Sequence, residues 1–251
     1  MAGVEGRVAL VTGASRGIGQ ATADLLAKRG AKVMCVARGR QALEDTGHPY
    51  FVADLGTAEG CAEAIAATEQ ELGPIDILVC NHGIGSAHEQ VVWEQDPELW
   101  NETIRINLDG PFHLSRIVLQ GMTARGYGRC VYTSSTAGLV AEPAGSAYNS
   151  SKHGLLGLMR SVALDGGAFG VTANAVLPGW VRTEMADRSA DQEAKDRGMT
   201  AAAVWKERAA MYPPGRVVTS EEVAEAIAFL AAEESSGVSG EAIRVALGSV
   251  W

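Results

Sequence analysis

The feature that most restricts this chain is an alternation that runs its whole length. Short apolar runs, RVALVT (7–12), KVMCVA (32–37), YFVA (50–53), IDILVC (75–80), RCVYTSS (129–135), VTANAVL (171–177) and AIRVAL (242–247), are separated by longer segments of helical period. Compact runs rich in Val and Ile suit strands buried on both faces. Seven of them alternating with helices predict right-handed crossovers, and so an α/β fold with a parallel sheet covered by helices on both sides. Asp96 before Pro97 opens a helix over 97–122, and a second is expected over 146–165. TSEE (219–222) writes a capping box before VAEAIAFLAA, and only a stub of helix fits between 39 and 49. No repeat, linker or low-complexity run divides the 251 residues, and 47% hydrophobic content supports one domain over 1–251.

A net charge of −9 argues against nucleic acid or an anionic membrane as the main partner, since both need clustered Lys and Arg. Cys35, Cys61, Cys80 and Cys130 form no CxxC and no metal-type spacing, so they read as core residues of a reducing compartment and no metal is expected. The apolar run at the start is too short for a signal peptide, and none approaches the roughly 18 residues of a membrane helix. A cytoplasmic protein is expected.

The first crossover, VTGASRGIGQATADLLAKRG, places Gly13, Gly17 and Gly19 where a buried strand gives way to an amphipathic helix. Without Cβ atoms in the way, backbone amides at the helix start can approach a pyrophosphate. With DL at 54–55, this predicts a dinucleotide site. The second strand ends VARGR, with Ala37 where an NAD enzyme usually carries an acid. Arg38 follows, and Arg16 lies inside the glycine turn, so two guanidiniums are available to clamp a 2′-phosphate, which predicts NADP(H). Further along, YNSSK sets Tyr148 and Lys152 four places apart, on one face of a helix with only short side chains between them.

TGASRGIG (12–19), ADL (53–55), CNHGI (80–84), NLDG (107–110), YTSS (132–135), YNSSK (148–152) and LPGWVRT (177–183) follow one another at spacings that resemble the short-chain dehydrogenase/reductase family, in its single-domain form of about 250 residues. The resemblance spans nearly the whole chain and implies a Rossmann sheet. It places Asn107, Ser135, Tyr148 and Lys152 in the family's catalytic positions. Ser135 is favoured over Ser134 because it lies thirteen residues before Tyr148. The implied cofactor contacts are Gly13, Ser15, Arg16, Gly17, Ile18 and Gly19 in the turn, and Arg38, Asp54 and Leu55 at the adenosine end. Asn81, Gly83, Tyr148, Lys152, Pro178, Gly179, Val181 and Thr183 complete them toward the nicotinamide. A homotetramer, or a homodimer, paired through the helices over 97–122 and 146–165 is likewise implied.

The chemistry fits the pair. Carbonyl reduction needs a proton for the developing alkoxide, and a phenol of pKa near 10 exchanges protons poorly at neutral pH. An ammonium about 4 Å away contributes roughly 4 kcal/mol at an effective dielectric near 20, enough to lower that pKa by up to about three units. The expected activity is hydride transfer between NADP(H) and a ketone or secondary alcohol. Tyr148 is the acid or base, Lys152 tunes it and holds the ribose, Ser135 bonds the substrate oxygen and Asn107 holds a relay water. An NAD-dependent alcohol dehydrogenase and a non-catalytic NADP-binding sensor or scaffold are the rival readings. An enoyl reductase would space its tyrosine and lysine by seven. CNHG departs from the family's NNAG, so His82 reads as a filler or a polar contact, and the VALGSVW ending leaves contacts near Trp251 open. The charged stretch 184–214 predicts a helical lid, in which Trp205, Met211 and Tyr212 either line the site or anchor the lid. Leu139, Val140 and Glu142 form a second wall, and Arg182 is the single candidate anchor for an anionic substrate.

Overall fold

The computed structural model describes residues 3–85 and 90–249; Trp251, where subunit contacts were in question, lies outside them. The seven expected strands form one parallel sheet in the order β3-β2-β1-β4-β5-β6-β7. They are β1 (Val8–Thr12), β2 (Lys32–Ala37), β3 (Tyr50–Val52), β4 (Ile77–Cys80), β5 (Gly128–Thr133), β6 (Val171–Pro178) and β7 (Ala242–Val245). The central strands β1, β4, β5 and β6 are buried at every position. That burial accounts for their unbroken apolar composition, and alternate side chains serve opposite layers. In β1, Leu10 packs into the core beneath α3 (Ala58–Leu72), α5 (Gly110–Arg125) and α6 (Ser146–Gly167). Its neighbours Ala9 and Val11 face α1 (Gly17–Lys28) and α9 (Ser220–Ala231) on the other side. Truncating Leu10, which is fully buried, would cost about 2–5 kcal/mol.

The start signals act as their chemistry requires. The Asp96 carboxylate accepts from the Glu98 amide at 2.9 Å, and Thr219 and Glu222 form a reciprocal capping box. The stub is α2 (Arg40–Glu44). Leu247 and Gly248 take positive φ of 49° and 83°, so β7 stops short of the expected 247. The helix expected over 97–122 is instead two helices, α4 (Pro97–Ile104) and α5, joined by a π-turn at Arg105–Asp109. The wider turn rotates Asn107 into the protein, where it is 1% exposed. Residues 184–214 hold α7 (Glu184–Arg197) and α8 (Ala201–Ala210). Strand order reverses between β1 and β4, which opens a crevice beyond their C-terminal ends, where ligands bind in folds of this kind.

Candidate active site

The glycine turn fills one wall of that crevice. Gly13 and Gly17 have φ of 62° and 55°, and α1 begins at Gly17 with no side-chain cap from Arg16, so its first amides have no such partner. A Cβ on Gly19 would sit 2.2 Å from the Gly13 carbonyl oxygen and 2.6 Å from Asn81 Nδ2. Backbone here approaches as closely as it can, and the cradle fits a pyrophosphate. Ser15 is half-buried in the turn, and Ile18 packs on the α1–α9 core. Arg16 reaches instead to an ion pair with Glu184 on α7, so the expected clamp of two arginines is not assembled. Arg38, exposed at the end of β2, makes no ion pair among the described residues, whereas Arg40 is held by Glu44 and Tyr50. Asp54 stands at the same rim. Partial burial opposes its ionisation, but the Gly56 amide and Arg105, at 3.0 and 3.1 Å, together with nearby Arg38, hold it below the usual carboxylate range. Leu55 is buried with its carbonyl against Gly110.

Across the crevice, α6 presents Tyr148 and Lys152 one turn apart, with the Lys152 Nζ 5.5 Å from the centroid of the Tyr148 ring. Ser135 meets the phenol by a hydrogen bond and accepts the Ala137 amide at 3.1 Å. Ser134 turns away and donates to the Lys152 carbonyl at 3.0 Å, so of the two serines only Ser135 faces the tyrosine. Asn107 Oδ1 accepts the Ile84 amide at 2.8 Å, while its Nδ2 donates to the Ile84 carbonyl and to Ser151 Oγ at 2.9 and 3.1 Å. A Cβ on Gly83 would lie 3.1 Å from Asn107 Oδ1 and 3.6 Å from Lys152 Nζ, which places these three together.

The electrostatics differ from expectation. Burial pushes the Tyr148 phenol up to about 12, with Ser135 opposing and Glu142 adding to the rise. Burial also brings Lys152 down to about 8. The ammonium lies over the ring face and donates to the Thr133 carbonyl at 3.0 Å, and within the chain itself burial outweighs the lowering expected of it.

The loop after β6 closes the third side. A Cβ on Gly179 would be 2.4 Å from the Tyr212 hydroxyl, which accepts the Trp180 amide at 2.6 Å. Pro178 ends β6, Val181 is buried and bridged to Val218, and Thr183 caps α7. The Thr183 methyl lies 3.1 Å from where a Gly17 Cβ would be, which ties this loop to the glycine turn.

Residues 13–249 match the family model described as Enoyl-(Acyl carrier protein) reductase. The chain is 36% identical over 250 residues to the 3-oxoacyl-[acyl-carrier-protein] reductase FabG of Escherichia coli, with 96% of each chain covered. Among solved structures it resembles levodione reductase, with a TM-score of 0.92 at 30% identity and 97% of each chain covered. It also resembles a single-substitution variant of actinorhodin polyketide ketoreductase with NADPH, with a TM-score of 0.89 at 33% identity and 96% of each chain covered. The chain belongs to the short-chain dehydrogenase/reductase family. The stretch 184–214, expected from the sequence to be a helical lid, has a core of its own. Trp205 is buried, donates to Asp187 at 3.0 Å and meets Trp180 edge-on, so Trp205 and Tyr212 hold this stretch to the loop after β6, while Met211 is exposed. Arg208, 4% exposed, stacks 3.6 Å over Trp180 and bonds the Ala186 carbonyl, Ser189 and Glu193. Arg182 lies 3.6 Å from Asp187 and 5.4 Å over Trp205, so it is already engaged. Leu139 and Val140 are exposed.

Three residues escaped the sequence reading. Met185 lies within contact range of Gly85 across the mouth of the crevice. Ser151 braces Asn107. Thr12, a hydroxyl in an otherwise apolar strand, is fully buried and was the one with a visible signal.

Proposed function

We propose that this member of the short-chain dehydrogenase/reductase family is an NADP(H)-dependent carbonyl reductase acting on a ketone or secondary alcohol. The observation that carries the reading is the Tyr148 phenol, bonded to Ser135 and backed by Lys152, facing a glycine cradle across the strand-order reversal. A bound nicotinamide supplies the hydride. Tyr148, which burial keeps protonated at neutral pH, donates its proton to the carbonyl oxygen, and Ser135 donates a hydrogen bond to the same oxygen. Lys152 carries a positive charge beside the ribose subsite and favours the phenolate left behind. Asn107 fixes the Ile84 backbone, and the second lone pair of its Oδ1 suits a relay water. The four-residue spacing of Tyr148 and Lys152 favours carbonyl over enoyl reduction. Arg38 favours the 2′-phosphate, and the FabG and ketoreductase relatives support both parts of the reading.

The test is a ketone and alcohol panel assayed with NADPH and NADH. Tyr148→Phe should lose turnover by at least about a thousandfold with NADPH binding intact, and Arg38→Ala should erase about tenfold or more of the preference for NADPH. Substantial activity in the first variant removes the acid assignment. Equal use of both nucleotides by the unaltered protein returns the NAD-dependent alternative, and NADPH binding with no turnover of any panel member returns the sensor.

A further inference from the structure

His82 stands where the family pattern has a small residue, and its ring is wedged between two working parts of the site. On one side Nδ1 lies 2.8 Å from Thr12 Oγ1. That hydroxyl has one proton and two lone pairs. It receives the Asn81 and His82 amides at 2.9 and 3.2 Å, which fill both lone pairs, so its proton goes to Nδ1 or to the Val79 carbonyl at 3.0 Å. A proton on Nδ1 would put three donors on two lone pairs. The consistent tautomer has Nδ1 accepting and Nε2 carrying the hydrogen.

On the other side the ring meets the π-turn. Nε2 is buried with no hydrogen bond of good geometry, yet the ring lies close enough to the Ile106 backbone to feel it as an acceptor. Gly110, one turn further on, leaves the space: a Cβ there would be 2.7 Å from Nε2. Asn107 lies between Ile106 and Gly110. Burial and the nearby Lys152 bring the imidazole down to about 3, so the ring is neutral at working pH and moves no proton.

We propose that His82 is a positioning residue, a strut between Thr12 at the end of β1 and the π-turn, which holds Asn107 where it clamps Ile84. The consequence for turnover rests on the carbonyl reductase reading; the strut itself does not. The test compares the full chain with His82→Ala, which removes the strut, and His82→Gln, which keeps a polar end of similar reach. In hydrogen exchange, His82→Ala should speed the Ile84 amide and the amides of 105–109, and His82→Gln should restore most of the protection. In kinetics, His82→Ala should lower kcat about tenfold with KM and NADPH affinity within about threefold. Its kcat–pH limbs should be unmoved, and His82→Gln should recover much of the loss. Unchanged exchange at Ile84 in His82→Ala overturns the proposal, as does a displaced pH limb, which would make the ring a proton carrier. If His82→Ala fails to fold, His82→Asn replaces it: protection that follows side-chain reach, Gln above Asn, supports the strut, and equal protection overturns it. A chain that reduces no carbonyl but shows the expected exchange would remove the reductase reading and leave the strut standing.

Discussion

Lys152 shows how a single residue carries a cost that its chemistry requires. Burial lowers its pKa from 10.5 to about 8, so between those values the unfolded chain holds a proton that the folded chain does not. Stability contributed at this position therefore rises with pH across that window, because the penalty of a buried ammonium vanishes as the folded group deprotonates. Lys152→Met removes the slope. The melting-temperature difference, variant minus wild type, should fall as pH is raised from 7.5 to 10.5 (about 8 to 10.5 being the active window), with activity absent throughout. A difference that stays level with pH would show that the ammonium is not desolvated as the geometry implies. The difference must be used rather than either curve alone, since buried Cys35, Cys61 and Cys130, pushed up to about 12, lower the stability of both proteins at the alkaline end.

At the scale of elements, the glycine turn and the start of α7 form one unit, through the Thr183 methyl against Gly17 and the Arg16–Glu184 ion pair. Within it, Gly19 has the least room. Its added Cβ would strike backbone, the Gly13 carbonyl, which cannot step aside as a flexible side chain would. Gly19→Ala should weaken NADPH binding about tenfold or more in a fluorescence titration, while Gly39→Ala, in open space, should not. Equal affinities would mean the turn does not hold the nucleotide. The strands, the capping box and the glycine turn were legible because local composition alone decides them: buried strands must be apolar, and Glu222 lies three residues from Thr219. The π-turn was not legible. RINLDG keeps a helical period, and the wider turn is held by partners far along the chain, Ile84 and Ser151. The His82–Thr12 contact spans 70 residues, and the Glu184 that takes Arg16 lies in α7, so neither has a local signature.

For the whole molecule, we propose a homotetramer in which the outer faces of α5 and α6 meet those of a second copy. Phe112, Arg116 and Gln120 run along the exposed side of α5, and His153, Gly157, Ser161 and Leu164 along that of α6. Phe112 and Leu164 are 46% and 83% exposed, and the small residues beside Leu164 let another helix approach closely. Gly157 provides a clean test, because a Cβ there meets nothing within 4 Å and its backbone is helical. Arginine at this position gains about 1 kcal/mol of helix propensity over glycine, so Gly157→Arg should melt no lower than wild type as a folded subunit. Its long cation would nevertheless sit where the second copy must pack, and in a two-fold contact each substitution meets its symmetry mate's face. Light scattering should give four times the 26.2 kDa chain mass for wild type and a smaller multiple for the variant, with the far-ultraviolet spectrum unchanged. A variant that keeps the full mass would place the interface on another face, and a wild type of one chain mass would remove the assembly altogether.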